Sequence, residues 1–282
     1  MPEPTAHPVG SLCWADLLAP DPEAAEAFYT AVLGWDYVRT GAAFQHYRYA
    51  TTRRQMVAGI ARTDRAGASW IVAFAVRDAD EAAERVPEAG GEVTEPPGDF
   101  GVQGRHLGVK DATGAHLGLW QPRAHMGAGL VGEPGALCWA ELATPDPPAA
   151  DAFYLALLGL KAADHPAAGD PEYAAYQLHG QAVAGRRPLP DPDGGADPGG
   201  EAGPGGAPAE GSPTGESPAG PGADGFWMPY FGVTDAREAA EAVTRKGGTV
   251  LVRSGDALGR GLAVLSDPWG ATFAVLELAH ES

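Results

Sequence analysis

Cys13-Trp14-Ala15-Asp16-Leu17 places a carboxylate two residues after a tryptophan in an apolar run, and Cys138-Trp139-Ala140-Glu141-Leu142 does so again. Side chains alternate between faces along a strand, so Trp14 shares a face with Asp16, and Trp139 with Glu141. An acid in such a strand is costly unless it is paired or used. A ring beside a carboxylate suits an aromatic, cationic or polyhydroxylated ligand, stacking on the ring and donating hydrogen bonds to the acid. In a later apolar run, His116 and Trp120 fall on one face. His116 can act as a general acid or base, with Asp16 orienting it. The catalytic candidates are thus Asp16, His116 and Glu141, and the ligand-binding candidates Trp14, Trp120 and Trp139. Each has a plainer alternative: tryptophans that fill a sheet core, a surface histidine, and acids paired with Arg105 or Arg260. His46 and His106 have no assigned role. There is no Ser-His-Asp elbow, phosphate-binding glycine loop or nucleophilic cysteine arrangement.

The elements that must hold these residues repeat. Asp21-Pro22 leading to Phe28-Tyr29 and Leu33-Gly34 is matched by Asp146-Pro147, Phe153-Tyr154 and Leu158-Gly159. Gly104-Arg105 answers Gly259-Arg260, and Asp111 with Gly114 answers Asp267 with Gly270. So many landmarks in one order establish an internal duplication. The copies are offset by about 125 residues early and about 156 late, so the second carries an insert. From 188 to 225 the chain is almost only Gly, Pro, Ala, Asp, Glu, Ser and Thr, the composition of a disordered acidic loop. The division is a first domain at 8–123, a linker at 124–134 and a second domain at 135–280.

Within each copy the pattern reads strand, helix and extended pieces, then repeats. Residues 11–18 form a strand. Asp21 caps a helix that Gly34 stops, and extended pieces follow at 44–51 and 55–61. Strand 70–76 leads to a helix capped by Asp78 and ended by Gly90-Gly91, then to strands 105–109 and 115–120, joined by the Asp111–Gly114 turn. The second copy reads strand 137–143, helix 147–158 and strands at 173–185; after the insert come strand 227–233, helix 236–246 and strands at 250–252, 261–265 and 271–277. The chain is α+β, built from four similar modules.

A net charge of −18 over 282 residues excludes a phosphate-binding basic face, so no nucleic-acid partner is expected. No apolar run is long enough to span a bilayer and no membrane partner is expected. Without a visible signal peptide the expected location is the cytoplasm. Two cysteines in equivalent places read as small apolar residues.

The strand, the Asp-Pro-Glu-Ala-Ala-x-x-Phe-Tyr helix, Leu-Gly-Trp, Gly-Arg, Asp-x-x-Gly and closing apolar strand together resemble the vicinal oxygen chelate superfamily. That group includes glyoxalase I, bleomycin- and fosfomycin-resistance proteins and extradiol dioxygenases. The Cys-Trp-x-Asp/Glu-Leu opening and two-copy layout are most similar to its two-domain actinobacterial members of hydroxylase type. The resemblance implies paired βαβββ modules curled into open cups, completed within one chain, whether monomer or homodimer. It also implies a small-molecule ligand, with Trp14, Asp16, His116 and Trp120 lining the first cup and Trp139 and Glu141 the second.

In metal-dependent members, the ligands fall at places occupied here by Trp14, Ile71 and Gly118, and by Trp139, Met228 and Ala274. None is a usual ligand, so no cofactor is expected; the alternative is a divalent metal on a displaced Asp16, Glu141 and His116 set. Three readings follow. One is a metal-independent protein that binds or sequesters an antibiotic or secondary metabolite. The second is a lyase, isomerase or hydroxylase-like enzyme using pocket acid/base residues. The third is a metal-dependent glyoxalase or dioxygenase. Thr272 stands where the first copy has His116, so the two cups are not equally equipped.

Overall fold

The computed structural model describes residues 6–164, 172–189, 224–255 and 261–278. Most of the 188–225 insert lies outside the described residues, as do Gly259 and Arg260. The insert's ends are ordered into the fold, narrowing the expected loop. Pro188 closes a strand, Asp224 pairs with Lys110 at 2.8 Å, and the Gly225 N–H donates to the Thr113 carbonyl.

The first copy runs β1 (Leu12–Ala19), α1 (Pro22–Leu33), β2 (Asp36–Arg39), β3 (Arg48–Thr52), β4 (Gln55–Arg62), β5 (Ser69–Ala75), α2 (Ala79–Glu88), β6 (Glu92–Phe100), β7 (Gly104–Lys110) and β8 (His116–Pro122). The second repeats it with β9 (Leu137–Thr144), α3 (Pro147–Leu158), β10 (Lys161–Asp164), β11 (Ala174–Leu178), β12 (Gln181–Pro188), β13 (Phe226–Val233), α4 (Ala236–Arg245), β14 (Thr249–Gly255), β15 (Gly261–Ser266) and β16 (Thr272–Glu277). Each copy forms one eight-stranded mixed sheet, of order β2-β3-β4-β1-β5-β8-β7-β6 in the first and β10-β11-β12-β9-β13-β16-β15-β14 in the second. The architecture is α+β, four βαβββ modules in one chain.

The helices start as their caps dictate: Asp21, Asp78, Asp146 and Asp235 each accept from first-turn amides. Gly34 and Gly159 end α1 and α3 in the left-handed conformation. Two strands in the first copy go beyond the sequence reading. β2 is short, and β6 is polar and holds Pro96-Pro97, which an edge strand tolerates because one side of its backbone is unpaired. Phe44, read as the start of an extended piece, instead ends a 3₁₀ turn over Ala42–Phe44.

The cores cross the copy boundary. One joins Leu17, Phe28, Tyr29 and Trp35 of the first copy to Phe231, Val243 and Phe273 of the second; the other joins Phe74, Val86 and Leu117 to Phe153, Tyr154 and Trp227. The helical faces of the two sheets are therefore packed into each other, and the concave faces look outward. Hydrogen bonds repeat this exchange. The Tyr29 hydroxyl donates to Asp267 at 3.1 Å and the Tyr154 hydroxyl to Asp111 at 2.7 Å. The Phe-Tyr landmark of each copy thus binds the Asp-x-x-Gly landmark of the other.

Candidate functional site

On the concave side of the first sheet, Trp14 Nε1 donates to Asp16 Oδ1 at 3.1 Å and lies 3.0 Å from the Tyr47 hydroxyl, which itself donates to the same carboxylate oxygen. Asp16 Oδ2 makes no hydrogen bond among the described residues, and the residue is only half-buried. Tyr47 approaches this closely because Gly59 faces it: a Cβ there would stand 1.7 Å from the hydroxyl and 2.1 Å from Asp16 Oδ1. The second cup repeats the set. Trp139 Nε1 donates to the Tyr173 hydroxyl at 3.2 Å, and Gly185 leaves the matching space. Glu141 differs from Asp16 in being 8% exposed and bound by Arg187 Nε at 3.0 Å. The acids are therefore not partners of Arg105, which binds Asp80 and Asp99; Arg260 lies outside the described residues.

Burial pushes the Asp16 carboxyl above its ordinary 3.8, against the opposing pull of Tyr47, Trp14 and the charge of His106. The Tyr47 hydroxyl is pushed well above its usual range by burial and by Asp16, so it remains a donor. In the second cup, burial and Glu141 push Tyr173 up to about 12. A carboxylate whose folded pKa is raised costs stability once ionised, and that cost disappears below its unfolded pKa. Asp16→Asn is therefore expected to melt higher than the parent protein at neutral pH. The difference should shrink as pH falls through the raised pKa and vanish below 3.8. Calorimetric melts across pH check this, and equal melting at neutral pH would contradict it.

Register shows what lies beside Trp14. It pairs with Ala73, Ala73 with Gly118, and Gly118 with Gly108. Three small residues stand in a row there: Gly118 and Gly108 are partly exposed, while Ala73 is buried with Trp14 and Tyr49, and Thr94 and Glu95 approach the Gly108 face. The same row in the second cup is Trp139, Tyr230, Ala274 and Val264, which is filled. Aromatic residues wall the first cup. Phe44 meets Phe100 at 5.0 Å, Phe100 meets Tyr47 at 5.4 Å, and Tyr47 meets Tyr49 at 4.9 Å. The far strand β6 thereby curls over the floor. The 124–134 segment crosses one side of the cup: the Ala128 N–H donates to the Cys13 carbonyl, and His125 packs on Trp14 at 4.6 Å. Trp120 holds that segment by donating to the His125 carbonyl at 3.0 Å. Burial pushes His125 down to about 4, so it packs as a neutral ring.

The structure does not bring His116 to Asp16. Asp16 pairs with Ile71 on β5 and His116 opens β8, one strand further, about 10 Å away. His116 is exposed; burial first, then Lys110 and Arg65, lower its pKa. The displaced metal set also fails geometrically. Asp16 and Glu141 stand on different sheets whose concave faces are separated by Ala15, Leu17, Ala140 and Leu142 packed between them.

The places where the family resemblance puts metal ligands do converge: a Cβ on Gly118 would touch Ala73 at 3.3 Å and Ile71 at 3.9 Å. Trp14, Ile71 and Gly118 nevertheless offer no side-chain lone pair to a hard cation, and Trp139, Met228 and Ala274 offer only a thioether. The donor set at these positions does not fit a divalent ion. Among the described residues no group of three or more His, Cys, Asp or Glu side chains is placed to hold one elsewhere.

Sequence reasoning missed Tyr47, Tyr173, Gly59 and Gly185, although each follows its Trp at nearly the same distance in both copies. It also left unassigned His106, which faces the first cup from β7 with Nε2 3.2 Å from Glu95 Oε1.

Two mixed sheets with paired cups and interlocked helical faces define the glyoxalase-like fold, and comparison with known proteins agrees. The chain belongs to the Glyoxalase/Bleomycin resistance protein/Dioxygenase superfamily, whose profile matches residues 11–118 and 136–275. It is 34% identical, over the full length of both chains, to the putative glyoxylase CFP32 of Mycobacterium bovis. It is 32% identical to the anthracycline biosynthesis protein DauV of Streptomyces sp., over 95% of this chain and 94% of that one. Among solved structures, the Mn(II)-bound glyoxalase from Novosphingobium aromaticivorans superimposes with a TM-score of 0.61 at 16% identity, covering 96% of this chain and 83% of that one. The 2,3-dioxygenase LapB from Pseudomonas sp. KL28 gives the same score at 15% identity, over 95% and 92%. At those identities the likeness concerns the fold. No helix among the described residues is long and apolar enough to cross a membrane.

Proposed function

We propose that the chain binds a flat, oxygen-bearing aromatic metabolite of antibiotic type in its first cup, without using a metal. The observation that carries this reading is the row of small residues Ala73, Gly118 and Gly108 in register with Trp14, where the second cup has Tyr230, Ala274 and Val264. A planar ring system can lie on that floor, edge-on to the indole, walled by Tyr47, Phe100 and Trp120. Asp16 Oδ2, with Oδ1 already held by Tyr47 and Trp14, is set to accept a ligand hydroxyl. The relative named for anthracycline biosynthesis supports a polycyclic phenolic ligand. Glu141 and Trp139 in the second cup serve the packing of that sheet, where Arg187 and Tyr173 already take them.

Alizarin, a planar dihydroxyanthraquinone, is a suitable probe followed by quenching of tryptophan fluorescence. One molecule is expected to bind per chain, equally well before and after exhaustive chelation, and to be recovered unchanged. Gly118→Leu raises the floor and is expected to weaken binding at least tenfold, about 1.4 kcal/mol, and to lower the melting temperature, because its Cβ meets Ala73 at 3.3 Å. Binding that needs a divalent ion, or that survives Gly118→Leu, would defeat this reading.

A further inference from the structure

A cavity of about 570 Å³ lies outside both cups, on the helical face of the first sheet beside the N-terminus of α1. That volume suits a small-molecule site. Arg39, Arg48, Arg62 and His46 line it. Strand register explains why the arginines converge. Arg39 pairs with Arg48, Arg48 with Ile60, and Arg62 stands two residues beyond Ile60 on β4, so all three share the face that carries Ile60 into the core. The second copy has no such set: by the same register the matching residues are Asp164, Ala174 and Pro188, and Glu172 stands where His46 does. The charges around the cavity are also uneven. Glu26 is 5% exposed and accepts from Arg39 Nε at 3.0 Å and Arg48 Nε at 2.6 Å, so one carboxylate serves two guanidiniums. Its counterpart Asp151 is paired with one arginine, Arg186, through Nε at 3.3 Å and Nη2 at 3.1 Å. Arg48 is buried, with Nη1 on the His46 carbonyl at 2.8 Å and Nη2 3.9 Å from Glu23, beyond hydrogen-bond reach. Arg62 is exposed and makes no ion pair among the described residues. Two acids line the cavity as well. Asp21 is committed to the Glu23 and Ala24 amides, and the Glu23 side chain is 84% exposed.

We propose that this cavity binds a phosphate group, free or carried by a small metabolite. Three guanidiniums against one buried carboxylate leave a local positive excess, which solvent-exposed Glu23 offsets only weakly. The planar fork of arginine matches the oxygens of a phosphate, and Arg48 is already fixed by two of its nitrogens. Arg48 Nη2 and the Arg62 guanidinium are the donors left to meet the ligand, with His46 and Arg39 at the walls. The first amides of α1 take no part, because Asp21 already holds them. A chain of net charge −18 repels a polyanion, so a single phosphate group fits this cavity and a nucleic acid does not. The site is independent of cup one: one loop gives His46 to this cavity and Tyr47 to the cup.

Calorimetric titration of the full chain with glycerol 3-phosphate at low ionic strength tests this, with glycerol and sodium acetate as controls. One molecule is expected to bind per chain and to raise the melting temperature, which neither control does. Arg62→Glu is expected to weaken binding at least about tenfold, and Arg39→Gln to weaken it while Arg48 still holds Glu26. Because Arg62 is exposed, Arg62→Glu is expected to melt as the parent does without ligand, so its lost affinity reports the site and not the fold. Inorganic phosphate separates the two sources: equal affinity assigns the site to free phosphate, and tighter binding of the monoester assigns it to a phosphorylated metabolite. Affinity unchanged in Arg62→Glu, or heats no larger than those of acetate, overturns the proposal. Either result leaves the alizarin reading of cup one standing.

Discussion

Asp267→Ala is expected to lower the unfolding free energy by about 3–5 kcal/mol, and Asp111→Ala to do the same, although neither lies in a cup. Asp267 Oδ1 accepts from the Trp269 and Ala271 amides at 2.9 and 2.8 Å, shaping its own turn, and Oδ2 accepts from Tyr29 of the other copy. Tyr29 accepts in turn from Trp70 Nε1 at 3.1 Å. The mirror set is Asp111 with the Thr113 and Ala115 amides at 2.7 and 2.9 Å, Tyr154 with Asp111, and Trp227 Nε1 with Tyr154 at 2.8 Å. Removing Asp267 leaves two amides and a buried hydroxyl without partners, and removing Asp111 leaves the Thr113 hydroxyl as well, each costing roughly 1–3 kcal/mol before relaxation. Tyr29→Phe or Tyr154→Phe removes two bonds, one to the carboxylate and one from the indole of Trp70 or Trp227, and keeps the turn, so about 1–3 kcal/mol is expected. Each lock ties one copy to the other, and the cores are shared between copies. The losses should therefore appear as a lower midpoint of one transition in urea, seen alike by fluorescence and circular dichroism. Two separable transitions, or a loss under about 1 kcal/mol for Asp267→Ala, would show that the halves stand independently.

Those locks show where sequence reading stops. The landmarks that reveal the duplication, Phe-Tyr and Asp-x-x-Gly, are legible because local chemistry demands them: a helix face needs its aromatics and a turn needs its Asp and Gly. That Tyr29 binds Asp267 rather than Asp111 depends on how two sheets interlock, and no spacing along the chain encodes it. The Trp–acid alternation is likewise local, so Trp14 with Asp16 and Trp139 with Glu141 could be named as pairs sharing a face. The metal-ligand places could be counted from the turn glycines for the same reason. His116 shares a strand face with Gly118 and Trp120, which the alternation shows, but a neighbouring strand does not make a neighbouring side chain. His106 has no assigned role in the sequence because its partner Glu95 reaches it across the β6–β7 ladder, which no spacing along the chain encodes. The linker at 124–134 reads as Gly-rich spacer, and only tertiary packing reveals His125 against Trp14. Polar β6, with two prolines, lacks the apolar alternation by which strands are recognised.

The two cups can be told apart by one matched pair of substitutions. Gly59→Ala puts a Cβ where the Tyr47 hydroxyl and Asp16 Oδ1 now meet, at 1.7 and 2.1 Å. Tyr47 cannot swing away cheaply, because Phe100 and Tyr49 pack on its ring at 5.4 and 4.9 Å. The hydrogen bond that fixes Asp16 must break or the strand must shift, costing about 1–3 kcal/mol of stability. Gly185→Ala does equivalent damage in the second cup, where the Cβ would stand 2.0 Å from the Tyr173 hydroxyl and 3.0 Å from Trp139 Nε1. Both variants are expected to melt lower by similar amounts, since the strain is alike. Their ligand responses should diverge. Gly59→Ala is expected to lose at least tenfold in alizarin affinity, about 1.4 kcal/mol, while Gly185→Ala stays within about twofold of the parent. Because stability falls in both, the difference in affinity cannot be ascribed to loosening of the fold. The opposite pattern would move the binding site to the second cup, where Glu141 and Arg187 rather than Asp16 would be the polar contacts. Equal loss in both would mean that the cups communicate through the shared cores.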